Sequence, residues 1–194
     1  MHGVAVEINR WSAGKVTPNA VTWFGLGMHV PIALGIAVGE LRLAAVMLLV
    51  FGLFDTLDGE LARLQGRVSD MGGFLDASTD RVKEVLVFSG LAYFLLSTPH
   101  PTAAALATWA VGASVCVSYV KAKGEAVIAA SKKKLPYPVL NRLFGGGFFP
   151  FEVRMAVVLA GLVTGWVAGA VLVVALGSTF TVFQRLAWIG RSIR

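Results

Sequence analysis

Long apolar segments separated by short polar breaks make up most of the chain. Six segments approach the length of about 20 mostly apolar residues that a membrane-spanning helix needs. They cover residues 21–38, 43–61, 74–96, 102–120, 151–165 and 166–183. The breaks contain proline and glycine, residues that punctuate turns, and the break at 164–165 is short enough to predict an antiparallel hairpin. The pattern predicts an all-α integral membrane protein with six transmembrane helices.

Composition agrees with the apolar pattern. The 194 residues are 56% hydrophobic, and a mean hydropathy of +0.74 is too high for a water-soluble domain of this size. We therefore expect a single membrane domain over residues 1–194. Residues 1–15 contain Glu7 and no long apolar run, so we expect no cleaved signal peptide. Residues 4–11 are predicted to form either a short interfacial helix anchored by Trp11 or a flexible tail.

Basic residues predict the orientation in the membrane. The chain has 17 lysines and arginines and a formal charge of +6. All of them except Arg42 fall in the termini, in the second and fourth connections, or at the helix ends beside these. Because lysine and arginine concentrate on the cytoplasmic side, both termini are predicted to be cytosolic. The positive charge is thus a property of one membrane face, and we expect no nucleic-acid partner.

Four aspartates lie at the predicted cytosolic ends of the second and third segments. Asp55 and Asp58 are about 60° apart on a helical wheel, and Asp76 and Asp80 are one turn apart. Two helices joined by a short loop are neighbours, so the four carboxylates are expected to converge. Bound cations would offset their repulsion, and oxygen-only ligands suit Mg²⁺ or Mn²⁺ rather than zinc. Arg63 beside them is either an internal ion pair or half of a metal–arginine clamp for a pyrophosphate.

These residues carry a family resemblance. The pattern D-x2-D-G-x2-A-R-x8-G-x3-D-x3-D over residues 55–80 is similar to the signature of the CDP-alcohol phosphatidyltransferases. Thr17–Thr22 also resembles the stretch that opens the first span in that family. The resemblance implies a homodimeric membrane enzyme with a cytosolic active site in the cell membrane. Such an enzyme transfers a phosphatidyl group from CDP-diacylglycerol to an alcohol and releases CMP.

The same resemblance implies roles for individual residues. Two Mg²⁺ or Mn²⁺ ions per active site would be held by Asp55, Asp58, Asp76 and Asp80. Asp80 would also be the catalytic base, and a carboxylate at this position could take the proton from the attacking hydroxyl. Contacts to the CDP-lipid are implied for Asn19, Ala20, Val21, Thr22, Gly59, Arg63 and Ser69.

The acceptor is predicted from a second segment. Residues 118–126, SYVKAKGEA, are similar to a segment of the phosphatidylinositol-phosphate synthases, which use inositol 1-phosphate. This similarity implies that Lys121 and Lys123 bind the phosphate of the acceptor. Arg154, at the start of the fifth predicted span, lies where the same group of enzymes has another contact to that phosphate, so the three would form a basic pocket. Alternatively, the two lysines reach lipid headgroups at the membrane face. Inositol 1-phosphate is the favoured acceptor, with glycerol 3-phosphate, as in a phosphatidylglycerophosphate synthase, as the alternative.

Two other functions use intramembrane aspartates. A membrane prenyltransferase of the UbiA type also binds pyrophosphate through Mg²⁺, but it generally has more spans, and its motif has Asn where this chain has Phe51. A cation transporter would line an ion path with acids near the middle of the membrane. The aspartates here are predicted at the cytosolic helix ends, and a transporter leaves Arg63 unexplained. Both alternatives are therefore disfavoured.

Overall fold

The structure is a computed structural model that describes residues 1–99, 101–130 and 147–193. The regular elements in these ranges are α-helices, which confirms the predicted all-α class. In chain order they are α1 (His2–Trp11), α2 (Pro18–Ala37), α3 (Leu41–Gly52), α4 (Phe54–Leu64), α5 (Asp70–Leu96), α6 (Ala103–Ala130), α7 (Phe151–Thr164) and α8 (Val167–Ile193). Two compact units are formed, Met1–Phe94 and Leu95–Arg194. The single domain expected from the sequence stays a prediction.

The helices have the apolar exterior of a membrane protein. Within the described ranges, α2, α6 and most of α8 are each long and apolar enough to cross a membrane. Large apolar side chains point outward, including Trp23 at 58%, Leu34 at 62% and Val46 at 60% exposure. The helices α3 and α7 have 12 and 14 residues, and at about 1.5 Å per residue neither alone crosses a core of about 30 Å. The count of six spans therefore stays a prediction.

The first unit begins with a helix at the N-terminus. Residues 2–11 form α1, so the helical alternative for this segment is the one observed, and Trp11 is 92% exposed. The fully buried Ala5 of α1 packs with Val21, Leu57 and Leu61 of α2 and α4. This apolar cluster fixes the start of α2 beside α4. The location of α1 at a membrane interface stays a prediction.

The second predicted segment is two helices rather than one. The backbone leaves the α-helical ladder at Leu53, whose N–H donates to the carbonyl of Val50 at 3.2 Å. Gly52 directly precedes the break. Glycine weakens a helix because its backbone loses more conformational entropy on folding than that of other residues. The acidic residues Asp55 and Asp58 therefore lie on the short helix α4 and not on the apolar α3.

The helix α5 starts at Asp70, about one turn before the expected start near residue 74. The reason is a cap: the Ser69 hydroxyl accepts the N–H of Gly72 at 3.1 Å, which satisfies one donor of the first turn. Further along, α5 lies directly against α2, since a Cβ on Gly90 would be only 2.4 Å from the carbonyl oxygen of Ala33. The contact fixes the two helices at a close distance, and with them the acidic end of α5.

The second unit contains α6, α7 and α8. Gly165 has a φ of +77°, a left-handed conformation that ends α7 and makes the predicted tight turn into α8. The hairpin is closely packed, because a Cβ on Gly161 would lie 2.4 Å from the Cβ of Ala170. The last helix continues to Ile193, ten residues beyond the predicted end. Its extension carries the buried Arg185 and Ile189, so packing within the unit supports it.

Candidate active site

An open cavity of about 350 Å³ lies in the first unit. Its wall is made by the first turns of α2, by α4, by the segment before α5 and by the first turns of α5. Polar and small side chains dominate this wall. The lining residues are Pro18, Asn19, Thr22, Asp55, Thr56, Asp58, Gly59, Ala62, Arg63, Arg67, Val68, Ser69, Gly72, Gly73 and Asp76. The acidic signature of the sequence therefore surrounds one cavity.

Three of the four predicted aspartates line this cavity. Asp55 and Asp58 reach it from α4 and Asp76 reaches it from α5. Asp58 is 6% exposed, and its Oδ2 accepts a hydrogen bond of 2.5 Å from the hydroxyl of Thr22 on α2. A buried carboxylate needs such a partner. The hydrogen bond therefore fixes one acid of the cluster to a third helix.

The fourth aspartate, Asp80, lies one turn beyond Asp76 and is not part of the cavity wall. Its Oδ1 is 3.4 Å from the Nζ of Lys83, and this ammonium group also contacts Oδ1 of Asp55. The Lys83 side chain is only 4% exposed. Arg81 lies 3.7 Å from Asp80 and forms a 2.8 Å ion pair with the buried Glu84. Two acids from different helices thus meet on one buried lysine.

The acidic cluster has the donor chemistry of a divalent-cation site. Its side-chain ligands are carboxylate oxygens, which suit Mg²⁺ and Mn²⁺. In the part of the chain that the structure describes, no three acidic, histidine or cysteine side chains are arranged as a ready metal site. Lys83 lies between two of the candidate ligands in this arrangement. The residues therefore fit a metal site by type and location, with a lysine in contact with part of it.

A guanidinium group lies on the same wall as the aspartates. The side chain of Arg63 extends over Gly59, where an added Cβ would be 3.8 Å from both terminal nitrogens. Arg63 is held by Glu60, which accepts a 2.6 Å hydrogen bond, and it is 61% exposed. Arg67 also lines the cavity. Arg67 is not among the site residues predicted from the sequence, because it occupies an unspecified position of the signature. Its location in the short loop between the two acidic helices was the available signal.

The other predicted lipid contacts are only partly on this wall. Asn19, Thr22, Gly59 and Ser69 line the cavity. Ala20 is exposed outside the lining, and Val21 is buried against α1 and α4. Successive helical residues point about 100° apart, so four consecutive side chains of α2 cannot all face one cavity.

The predicted acceptor residues belong to the second unit. Lys121 and Lys123 lie on α6, and Lys121 is 3.9 Å from Glu125 and 44% exposed. Residues two apart on a helix point about 200° apart, so the two lysines face different directions. Lys123 lines an apolar groove with Tyr119 and Ile189. The two lysines therefore point in different directions, and their shared role at the acceptor phosphate stays a prediction.

Arg154 differs from these lysines because it is 1% exposed. Its Nη1 donates to the carbonyl of Phe149 at 3.1 Å, and the N–H of Phe149 donates to the Thr181 hydroxyl at 3.1 Å. One turn later on α8, Arg185 is 6% exposed and donates to the carbonyl of Val117 at 2.9 Å. Two buried arginines are therefore anchored on backbone carbonyls within this unit. Arg185 is not among the site residues predicted from the sequence.

Comparisons with known proteins agree with the chemistry of the cavity. The family model described as CDP-alcohol phosphatidyltransferase matches residues 15–183. The phosphatidylinositol phosphate synthase of Corynebacterium glutamicum is 35% identical over 188 residues, which cover 92% of this chain and 80% of that protein. The enzyme of the same name from Mycobacteroides abscessus is 34% identical over 161 residues, covering 76% of this chain and 73% of that protein.

Solved structures of a phosphatidylinositol phosphate synthase are also similar to this chain. The crystal structure of Mycobacterium tuberculosis phosphatidylinositol phosphate synthase with CDP-DAG bound matches with a TM-score of 0.81 and 27% identity, over 97% of this chain and 92% of that chain. The structure of that enzyme in complex with manganese and citrate matches with a TM-score of 0.82 and 26% identity, over 97% of this chain and 88% of that one. The likeness therefore covers nearly the whole described fold.

Proposed function

This chain belongs to the CDP-alcohol phosphatidyltransferase family, and we propose that it transfers the phosphatidyl group of CDP-diacylglycerol to inositol 1-phosphate. The products are phosphatidylinositol phosphate and CMP, so the enzyme serves phospholipid biosynthesis. The observation that carries the proposal is that three aspartates, Arg63 and the small residue Gly59 line one cavity. Relatives named phosphatidylinositol phosphate synthase, which match most of the chain, support this choice of acceptor.

The proposal includes two Mg²⁺ or Mn²⁺ ions in the acidic cluster. Asp55, Asp58 and Asp76 would hold them from the cavity wall, and Asp80 would contact the second ion. When bound, the ions neutralise the pyrophosphate of the donor and stabilise the charge that develops on the leaving CMP. The manganese complex of the similar M. tuberculosis enzyme supports this assignment.

Residues of this chain position the donor. We assign the pyrophosphate to Arg63, whose planar guanidinium can form two parallel hydrogen bonds to phosphate oxygens. Gly59 leaves room for this approach because it has no side chain. Asn19, Thr22 and Ser69 provide polar groups around the nucleotide from the ends of α2 and α5. Ala20 and Val21 would act through the backbone or through packing, since their side chains lie off the cavity wall.

Asp80 is the proposed catalytic base. It accepts the proton of the attacking hydroxyl as that oxygen bonds to the phosphorus of the phosphatidyl group. The bond from this phosphorus to the bridging oxygen of the pyrophosphate breaks, and CMP leaves with that oxygen. Lys83 at 3.4 Å and Arg81 at 3.7 Å would help to orient the carboxylate.

For the acceptor, we propose that its phosphate is bound by Arg154 together with one of the two lysines Lys121 and Lys123. Arg154 is the best-defined of the three because it is buried and anchored to the carbonyl of Phe149. The two lysines point in different directions on α6, so we expect only one of them to contact the phosphate directly. The other is then available for lipid headgroups at the membrane face.

The family resemblance and the charge pattern support the remaining features of the proposal. We place both termini and the active site in the cytosol, with six spans in the cell membrane, because the basic residues accumulate on one predicted face. The lipid chains of the donor would extend into the bilayer between helices. A homodimer is proposed from the resemblance alone.

The test is CMP release by the purified protein in detergent or vesicles. CDP-diacylglycerol is supplied with inositol 1-phosphate, glycerol 3-phosphate, inositol or no alcohol, each with Mg²⁺, Mn²⁺ or excess chelator. We expect turnover only with a divalent ion and fastest with inositol 1-phosphate. Faster turnover with glycerol 3-phosphate would reassign the acceptor, while full turnover in chelator would overturn the metal mechanism.

A further inference from the structure

A buried lysine, Lys83, is part of the acidic cluster, and the reaction proposed above uses only its contact with Asp80. We infer that Lys83 is a built-in counter-cation that holds Asp55 and Asp80 together without a divalent ion and opposes the binding of one there. This inference rests on the proposed metal dependence. It assigns to Lys83 a positioning role that adjusts the affinity of the site for its ions.

The contacts of Lys83 carry the inference. Its Nζ contacts Oδ1 of Asp55 on α4 and lies 3.4 Å from Oδ1 of Asp80 on α5. The Lys83 side chain is 4% exposed. Lysine is almost never buried to this extent unless it is paired. Its two carboxylate partners come from different helices, so the ammonium group links the two acidic elements across their interface.

Charge explains why such a link is useful. Asp55 and Asp80 are like charges, and bringing them close together without a cation would be unfavourable. One ammonium between them offsets this repulsion at all times, whereas a divalent ion does so only when it is bound. The acidic ends of α4 and α5 can therefore stay in place while the site waits for an ion.

The same contact makes Lys83 a competitor. A divalent ion that takes Asp55 and Asp80 as ligands meets a positive charge already on the same oxygens. The ion must either displace the ammonium or tolerate its repulsion, and both weaken binding. The flexible four-carbon stem of lysine allows such a displacement, because its charged end is not held in a rigid planar fork.

The two acids on α4 have different partners, one neutral and one charged. Asp58 is held by the neutral hydroxyl of Thr22 at 2.5 Å, a partner that does not repel a cation. Asp55 is held by the charged Lys83. Removing the charge of Lys83 should therefore tighten ion binding, although it removes a buried ion pair. A lysine with a merely structural role would have no such effect, because its loss would loosen the site and weaken binding.

The test compares Lys83→Met with the wild-type protein in detergent without substrate. Mn²⁺ binding is measured by calorimetry and by the paramagnetic signal of unbound Mn²⁺, and thermal stability is measured in chelator and in saturating Mn²⁺. For Lys83→Met we expect a dissociation constant at least about tenfold lower, equivalent to about 1.4 kcal/mol. The variant should also have a lower melting temperature in chelator and a larger gain from Mn²⁺.

Matched variants separate the explanations. Lys15→Met removes one exposed lysine of the same unit and should leave both measurements as in the wild type. Lys83→Gln keeps a hydrogen-bond donor without charge, so it should also tighten Mn²⁺ binding even if Lys83→Met does not fold. Weaker or unchanged binding in Lys83→Gln overturns the inference while the metal mechanism stands. Absence of Mn²⁺ binding in the wild type overturns both.

Discussion

The hydrogen bond between Thr22 and Asp58 is the sharpest test of the site geometry. Thr22→Val removes the hydroxyl and keeps the shape of the side chain, so Asp58 loses its 2.5 Å partner while remaining buried. Hydrogen bonds to charged groups contribute about 1.5–3 kcal/mol. If Asp58 must be held in place to bind its ion, this loss corresponds to a decrease of about 10- to 150-fold in kcat/KM.

The assay is CMP release at limiting CDP-diacylglycerol with saturating inositol 1-phosphate. Two variants separate the carboxylate contact from other effects. Thr22→Ser retains the hydroxyl and should retain most of the activity. Thr164→Val also removes a threonine hydroxyl, but this one lies at the end of α7 and donates to the carbonyl of Ala160. It should lose little activity.

A kcat/KM for Thr22→Val within about twofold of the wild type would refute this reasoning, since such a ratio corresponds to well under 1 kcal/mol. Equal losses in Thr22→Val and Thr22→Ser would also count against it, because the hydroxyl is present in the second variant. A large loss in Thr164→Val would point to general destabilisation rather than to the acidic site.

Three further predictions address the base, the acceptor and the packing. Asp80→Asn should reduce turnover by at least about 100-fold, the lower end of the effect of a general base. The variant should still bind the CDP-lipid, as measured by equilibrium dialysis. Turnover close to that of the wild type would show that Asp80 is not the base. Lys121→Ala and Lys123→Ala should have different effects, because the two side chains point about 200° apart around the helix. One of the variants should raise the KM for inositol 1-phosphate more than the KM for CDP-diacylglycerol. Equal effects of both variants on both substrates would show that the lysines are not part of the acceptor site. Gly90→Ala should destabilise the protein by about 1–3 kcal/mol through overpacking, because the new Cβ would lie 2.4 Å from the Ala33 carbonyl oxygen. As a control, Gly112→Ala should be neutral or stabilising, because nothing lies within 4 Å of the new Cβ. Both variants are measured by thermal unfolding.

Local spacing explains why much of the acidic cluster was predictable. Asp55 and Asp58 share a helix face at any position of that helix in the fold, and so do Asp76 and Asp80. The short loop of residues 65–69 brings the two pairs together. The all-α class followed from apolar segments of membrane length, and comparison with the solved relatives confirms it. These predictions required only information that is close together in the sequence.

Features that depend on packing between residues far apart in the sequence could not be predicted from local spacing. In the sequence, Lys83 looks like any other lysine on the cytosolic side of the membrane. Only its contact with Asp55, 28 residues away, shows that it pairs with the acidic cluster. Likewise, the resemblance predicts a donor contact at Val21, and only the packing shows that its side chain is buried against α1 and α4. The break at Leu53 is a third example, because a single glycine in an apolar run does not say whether a helix will bend there.

The different supports of the two acids on α4 have a consequence for the order of ion binding. Asp58 is fixed by a neutral hydroxyl, so a cation that approaches it replaces no charge there. Asp55 is already in contact with an ammonium, so a cation that approaches it and Asp80 meets repulsion. In the two-ion site proposed above, we therefore expect the first ion to bind on the Asp58 side and the second to bind more weakly. The pyrophosphate of the donor should then favour the second ion because its negative charge offsets that of Lys83, so we expect the donor and the second ion to bind cooperatively.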